Sequence, residues 1–121
     1  MIEINVEAIQ PGAGTGSAPQ GNVVKLAGEI DAVSAAVVQQ KVLPLSMPGC
    51  RMILDMSKVS YMSSAGLRML LSVYRQLSGN KGKVVLAGLS DELKETMSMT
   101  GFLGYFTVED SLETALQAIG K

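Results

Sequence analysis

Two adjacent serines, Ser63 and Ser64, are the residues of this chain whose types and spacing most clearly suggest a chemical role. They follow an apolar run of strand length at residues 52–56 and precede an amphipathic helical pattern made by Leu67, Leu70, Leu71, Tyr74 and Leu77. A turn between a strand and a helix places such hydroxyls at the helix N-terminus. Unpaired N–H groups and the positive end of the helix dipole favour hydrogen-bond acceptors and negative charge there. The position suits helix capping, phosphorylation, or both.

The capping and phosphorylation interpretations stay open on the residues alone. A serine N-cap contributes about 1 kcal/mol to helix stability, and serine turns before helices are common. On the predicted helix, Met69 and Val73 form a second apolar line beside Arg68. This line is either core covered by a neighbouring helix or a hydrophobic contact surface that runs away from the serines.

Two carboxylates raise the alternative of metal or acid–base chemistry. Asp31 and Asp55 are predicted at the carboxyl ends of neighbouring strands, where α/β sheets bind ligands, and such a pair could hold Mg²⁺. No base is evident beside them, and Asp commonly occupies caps and turns, so capping and turn formation are the favoured roles. The glycine-rich stretch at residues 12–17 lacks the lysine of a phosphate loop and joins two predicted strands, which indicates a hairpin loop.

The composition excludes several classes of function. The 121 residues contain no histidine, so Ser-His-Asp and Cys-His catalysis are excluded, and the single cysteine, Cys50, can form no intramolecular disulfide. A serine nucleophile would lack a visible base, so we predict no catalytic residue, no metal site and no cofactor. A net charge of −1 argues against nucleic-acid binding. Without an apolar run of membrane length or a signal-like start, we expect a cytoplasmic protein with no membrane contact, as a monomer or weak dimer.

The chain as a whole, residues 1–121, is predicted to be a single domain with the order β-β-α-β-α-β-α-(β)-α. Strands are predicted at 2–9, 22–28, 51–56, 83–88 and 105–108, and helices at 34–43, 64–77, 90–100 and around Leu112, Ala115, Leu116 and Ile119. Right-handed crossovers make the second, third and fourth strands parallel. The prediction is an α/β fold with a mixed four- to five-stranded sheet and about four helices mainly on one face.

The ends of these helices also have sequence signals. Asp31 or Ser34 is predicted to cap the first helix, and Ser90 to begin the third. Gly79 is predicted as a left-handed residue after the second helix, and Thr107 and Asp110 have the spacing of a capping box before the last one.

The residues at 28–31 and 54–67, with those at 101–102 and 111–116, resemble STAS domains of the bacterial anti-sigma factor antagonist type. The resemblance covers about residues 2–119 and implies a partner switch. Such a protein binds an anti-sigma factor that is also a serine kinase. The kinase uses ATP to phosphorylate one serine and so ends the binding, and a PP2C-type phosphatase removes the phosphate.

The family motif is Asp-Ser-Ser/Thr-Gly, and its target serine falls on Ser64. The acidic position is occupied by Ser63, which makes Ser63 a rival acceptor. The predicted partner-binding residues are Asp31, Ser63, Ser64, Ala65, Gly66, Arg68, Met69 and Val73. The alternatives are a STAS scaffold that does not switch, and nucleotide binding at the strand ends.

Overall fold

A computed structural model describes residues 2–8, 21–45 and 49–119 of the chain. Within these ranges there are five strands, β1 (Glu3–Ala8), β2 (Gly21–Ile30), β3 (Arg51–Met62), β4 (Lys83–Ala87) and β5 (Thr107–Glu109). The same ranges contain four α-helices, α1 (Ala32–Val42), α2 (Ser64–Gly79), α3 (Asp91–Met99) and α4 (Leu112–Ile119). The predicted order of elements is confirmed. The glycine-rich stretch at 12–17 lies outside the described residues.

The five strands form one mixed sheet in the order β1-β2-β3-β4-β5. β1 pairs antiparallel with β2, and every later pair is parallel. Each crossover therefore advances by one strand in the same direction, which places its helix on the same face of the sheet. The predicted mixed sheet with helices mainly on one face is confirmed.

A hydrophobic core lies on each side of the sheet. The larger core joins the sheet to α1, α2 and α3 through side chains such as Leu26, Leu54, Leu86, Val38, Leu70 and Met97. The smaller core joins the other face to α4 through Val23, Ile53, Val85, Ala87 and Ala115. Because both faces are covered, the central strands are apolar at consecutive positions, as expected for parallel strands in an α/β fold.

β3 is longer than predicted, because it continues from Met56 to Met62. Its register with β2 jumps from the pair Lys25–Asp55 to Ala27–Lys58, and again just before Tyr61. Each irregularity adds a residue to β3 and interrupts the alternation of side chains. Because of this interruption, the sequence of residues 57–62 lacks the alternation of a strand and resembles a turn. The prediction that β3 ends at Met56 is wrong for this reason.

Two of the predicted helix caps are wrong. Gly79 lies within α2, and the left-handed conformation falls on Lys81, with φ 62°. Thr107 belongs to β5, and the N-terminus of α4 is held instead by Ser111 and Thr114, whose backbone N–H groups donate to each other's side-chain oxygens at 3.3 and 3.2 Å. The predicted caps Asp31 and Ser90 are confirmed.

Candidate functional site

The ends of β2 and β3 place the starts of two helices side by side. Ile30 pairs with Met62 as the last residues of the two strands, and the Ser63 N–H donates to the Ile30 carbonyl at 2.8 Å. Asp31 then caps α1 and Ser63 caps α2. The structure therefore brings Asp31 and the serine pair to the same edge of the sheet.

The two serines differ in what their hydroxyls do. Ser63 has an extended backbone, and its Oγ accepts a hydrogen bond from the Gly66 N–H at 3.4 Å. Its side chain is half-buried, whereas Ser64 is the first residue of α2 and is exposed. Ser63 thus has a structural role in the cap, whereas Ser64 is exposed at the positive end of the helix dipole.

Gly66 explains how the serine pair is held against the sheet. A Cβ atom at this position would overlap the Met62 side chain and lie 2.9 Å from Ile30 Cγ2. Only a residue without a side chain lets the first turn of α2 approach the ends of β2 and β3 this closely. Gly66 is buried, so its prediction as a partner-binding residue is wrong. It instead positions Ser63 and Ser64 by packing against the ends of β2 and β3.

Asp31 is an exposed carboxylate with a fixed orientation. Its Oδ1 accepts from the Ser34 N–H at 2.9 Å and from the Ser34 hydroxyl at 2.7 Å. The Asp31 N–H donates in turn to Ser34 Oγ at 3.2 Å, which completes a capping box. The hydrogen bonds from the side chain and then the backbone of Ser34 hold the pKa of Asp31 below its usual range. A permanent negative charge therefore lies beside the serine pair at neutral pH.

The second apolar line of α2 belongs to the core. Met69 is 2% exposed and Val73 is 1% exposed, and α1 packs against α2 on this side. The interpretation of Met69 and Val73 as a contact surface is therefore wrong, and the alternative in which a neighbouring helix covers them is correct. Arg68 is exposed and Ala65 is half-buried.

Exposed apolar side chains lie near the site on α1 and β3, and the sequence analysis did not identify them. Val33 is 74% exposed and Val37 is 39% exposed on α1, and they line a shallow cavity of about 330 Å³ with Ile2, Asp31 and Ser34. Tyr61, near the end of β3, is 54% exposed. The signal that could have found the two valines is their i, i+4 spacing, one position away from the buried stripe of Ala35, Val38 and Val42.

Asp55 lies away from this site. It is in the middle of β3, and its side chain lines a cavity of about 450 Å³ with Lys25 and Lys58 on the face of the sheet that α4 covers. Its Oδ1 accepts from the Ser57 N–H at 3.1 Å and from the Ser57 hydroxyl at 2.8 Å. The pairing of Asp31 with Asp55 at one edge is therefore wrong. Asp55 forms no turn either, because its hydrogen bonds to Ser57 lie inside β3, at the first irregularity of the strand. Across the described ranges, no three Asp, Glu or Cys side chains group together as a metal site.

The comparisons with known proteins agree with this architecture. The model of the STAS domain family matches residues 17–115, and the chain belongs to this family. A Bordetella bronchiseptica protein, BtrV, provisionally named as an anti-sigma factor antagonist, is 41% identical over 68 residues, which are 56% of this chain and 59% of that protein. The anti-sigma-B factor antagonist of Bacillus subtilis is 31% identical over 94 residues, covering 78% of this chain and 86% of that protein.

Solved structures show the same fold. The crystal structure of an anti-sigma factor antagonist from Mycobacterium paratuberculosis is 26% identical, has a TM-score of 0.79, and covers 100% of this chain and 96% of its own. The described helices include none that is both long enough and apolar enough to cross a bilayer.

Proposed function

We propose that this protein is an anti-sigma factor antagonist that changes partners when Ser64 is phosphorylated. In its unmodified form it binds an anti-sigma factor with serine kinase activity. The kinase transfers the γ-phosphoryl group of ATP to Ser64 Oγ, the bond to the departing ADP breaks, and the hydroxyl proton leaves to a base. The phosphorylated protein dissociates from its partner, and a PP2C-type phosphatase hydrolyses the phosphate ester and restores binding.

One observation supports this proposal: Ser64 is an exposed serine at the first residue of α2, at an edge of the sheet. Its neighbours have structural roles, since Ser63 caps the helix and Gly66 packs against Met62. The names of the relatives support an anti-sigma factor as the partner. The surface offered to that partner comprises Asp31, Ala65, Arg68 and Ser64, with Val33 and Tyr61 as apolar contacts.

The expected effect of the phosphate falls on binding and leaves the fold intact. A phosphoserine adds about −1.5 to −2 charges, and at the start of a helix this charge is stabilised by about 0.3–1 kcal/mol. A partner surface that accommodates the unmodified serine beside Asp31 meets additional negative charge and bulk after modification. Like charges forced together at an interface cost several kcal/mol, and each ~1.4 kcal/mol weakens binding tenfold.

The test is an intact-mass and phosphopeptide analysis of the protein isolated from its own cells, with Ser64→Ala and Ser63→Ala as a matched pair. We expect a single phosphate on Ser64 that is absent from Ser64→Ala and retained in Ser63→Ala. A phosphate on Ser63 would keep the switch and move its position by one residue. A protein that stays unmodified across growth and stress conditions would contradict the switch and support a scaffold role.

A further inference from the structure

Arg68 is a cation without a counter-charge on its own helix. It is exposed, one helical turn after Ser64, and α2 contains no acidic residue. The ion pairs found within the described ranges join Lys25 to Glu7 and Lys94 to Asp110, and neither involves α2. Such a guanidinium is available to pair with a negative charge that phosphorylation adds.

The spacing between the two residues matches a favourable helical pair. Side chains at positions i and i+4 have Cβ atoms about 5–6 Å apart, and an anion that precedes its cation in sequence is the better order. The guanidinium of arginine binds phosphate oxygens through two parallel N–H groups, which makes the pair stronger than a neutral hydrogen bond. A phosphate on Ser64 Oγ therefore comes within reach of Arg68 with no movement of the backbone.

The other charged groups around Ser64 are few. β2 contributes Glu29 near its end, and Asp31 follows at the start of α1. Both are anions, so they oppose the phosphate. On β3, Tyr61 is exposed near Ser64, whereas Lys58 lines the cavity on the opposite face of the sheet. Among the described elements that meet at this edge, Arg68 is the basic residue placed to neutralise the phosphate.

We propose that phosphoserine 64 captures Arg68 as an intramolecular counter-ion and so withdraws it from the partner surface. This inference rests on the proposed phosphorylation of Ser64. It adds a second component to the switch: modification introduces an anion and at the same time removes a cation that the unmodified protein presents. The partner it fits has an acidic or carbonyl-rich contact opposite Arg68.

The experiment installs phosphoserine at position 64 during translation, which bypasses any kinase. Phosphorus NMR then follows the ionisation of the phosphate in the parent protein and in Arg68→Gln, Arg68→Lys and Arg75→Gln. Arg75 is the matched control, because it is exposed on the same helix but lies about 16 Å from Ser64 along the helix axis.

We expect Arg68→Gln to raise the pKa of the phosphate by about 0.15–0.4 units, because the dianion loses its counter-ion. Arg68→Lys should restore part of the difference, Arg75→Gln should leave the pKa unchanged, and added salt should reduce the Arg68 effect. Equal pKa values in the parent and Arg68→Gln, or an equal shift from Arg75→Gln, would overturn the proposal. Because the phosphate is installed directly, this result is independent of whether a cellular kinase modifies Ser64.

Discussion

At the scale of single residues, Gly66 sets the position of the candidate site. Its hydrogen atom occupies space that a methyl group would share with Met62 and Ile30. We expect Gly66→Ala to lower the free energy of unfolding by about 1–2 kcal/mol, because overpacking outweighs the better helix propensity of alanine. Urea denaturation followed by circular dichroism measures this change.

Gly79→Ala is the matched control for Gly66→Ala. Gly79 lies in the same helix, and a Cβ atom there would meet nothing within 4 Å. We expect this variant to be as stable as the parent or more stable, by up to about 1 kcal/mol. Similar effects at both positions would show that contact with Met62 and Ile30 is not what requires glycine at position 66.

Asp31 gives a prediction about pH. Its pKa in the folded protein lies below the ordinary value of 3.8, so the unfolded chain binds more protons over the interval between the two values. The carboxylate therefore contributes stability that is fully present above the unfolded pKa and is lost as the pH falls through the folded pKa. Asp31→Asn keeps a capping oxygen and removes the charge.

We expect the parent to exceed Asp31→Asn in unfolding free energy at neutral pH, and the difference to shrink below about pH 4. Urea titrations of both proteins between about pH 7 and about pH 2.5 measure it. A difference that stays constant over this range would contradict a charged Asp31 in the capping box.

At the scale of elements, the irregular second half of β3 connects the regular part of the sheet to the candidate site. The Asp55 carboxylate accepts two hydrogen bonds from Ser57 at the first irregularity, and the strand then continues to Met62. We expect Asp55→Ala to lower the unfolding free energy by about 1–2 kcal/mol and to speed amide hydrogen exchange at Ser63, whose N–H bonds to Ile30.

Ser60→Ala is a suitable comparison, because Ser60 is exposed on the same strand and its hydroxyl makes a long contact of 3.5 Å to the Gly28 carbonyl. We expect its stability to lie within about 0.5 kcal/mol of the parent. If Asp55→Ala behaved like Ser60→Ala in denaturation and exchange, the carboxylate would have no role in holding β3.

The sequence alone predicts the regular elements better than the irregular ones. Periodicity identifies α2, since its core stripe repeats over about three turns, and connection rules then give the parallel strands. The same reasoning fails at residues 57–62, because two register shifts expose Ser57 and Tyr61 in a pattern that is typical of a loop. It also cannot decide whether Met69 is core or surface, since that depends on where α1 packs. Asp31 directly follows β2, whereas Ser64 lies well beyond the predicted end of β3 at Met56, so strand ends alone do not bring the two residues together in a prediction.

At the scale of the whole molecule, the site lies where the sheet and two helices of the larger core meet. α1 and α2 pack on one another and on the sheet, so the N-termini that carry Asp31 and Ser64 have fixed positions relative to each other. A phosphate added at an exposed position of such a framework has no buried group to displace. The response to modification should therefore be confined to the surface around the two helix N-termini.

A protein carrying phosphoserine at position 64 tests whether the phosphate weakens partner binding while the fold stays unchanged. We expect its unfolding free energy to stay within about 1 kcal/mol of the unmodified protein, with amide chemical shifts changing only near the starts of α1 and α2. Affinity for the anti-sigma factor, measured by calorimetry, should fall by about 100-fold or more, which corresponds to about 2.7 kcal/mol. Chemical-shift changes across the sheet or in α4 would instead indicate a conformational switch. An unchanged affinity would contradict the proposal that phosphorylation releases the partner.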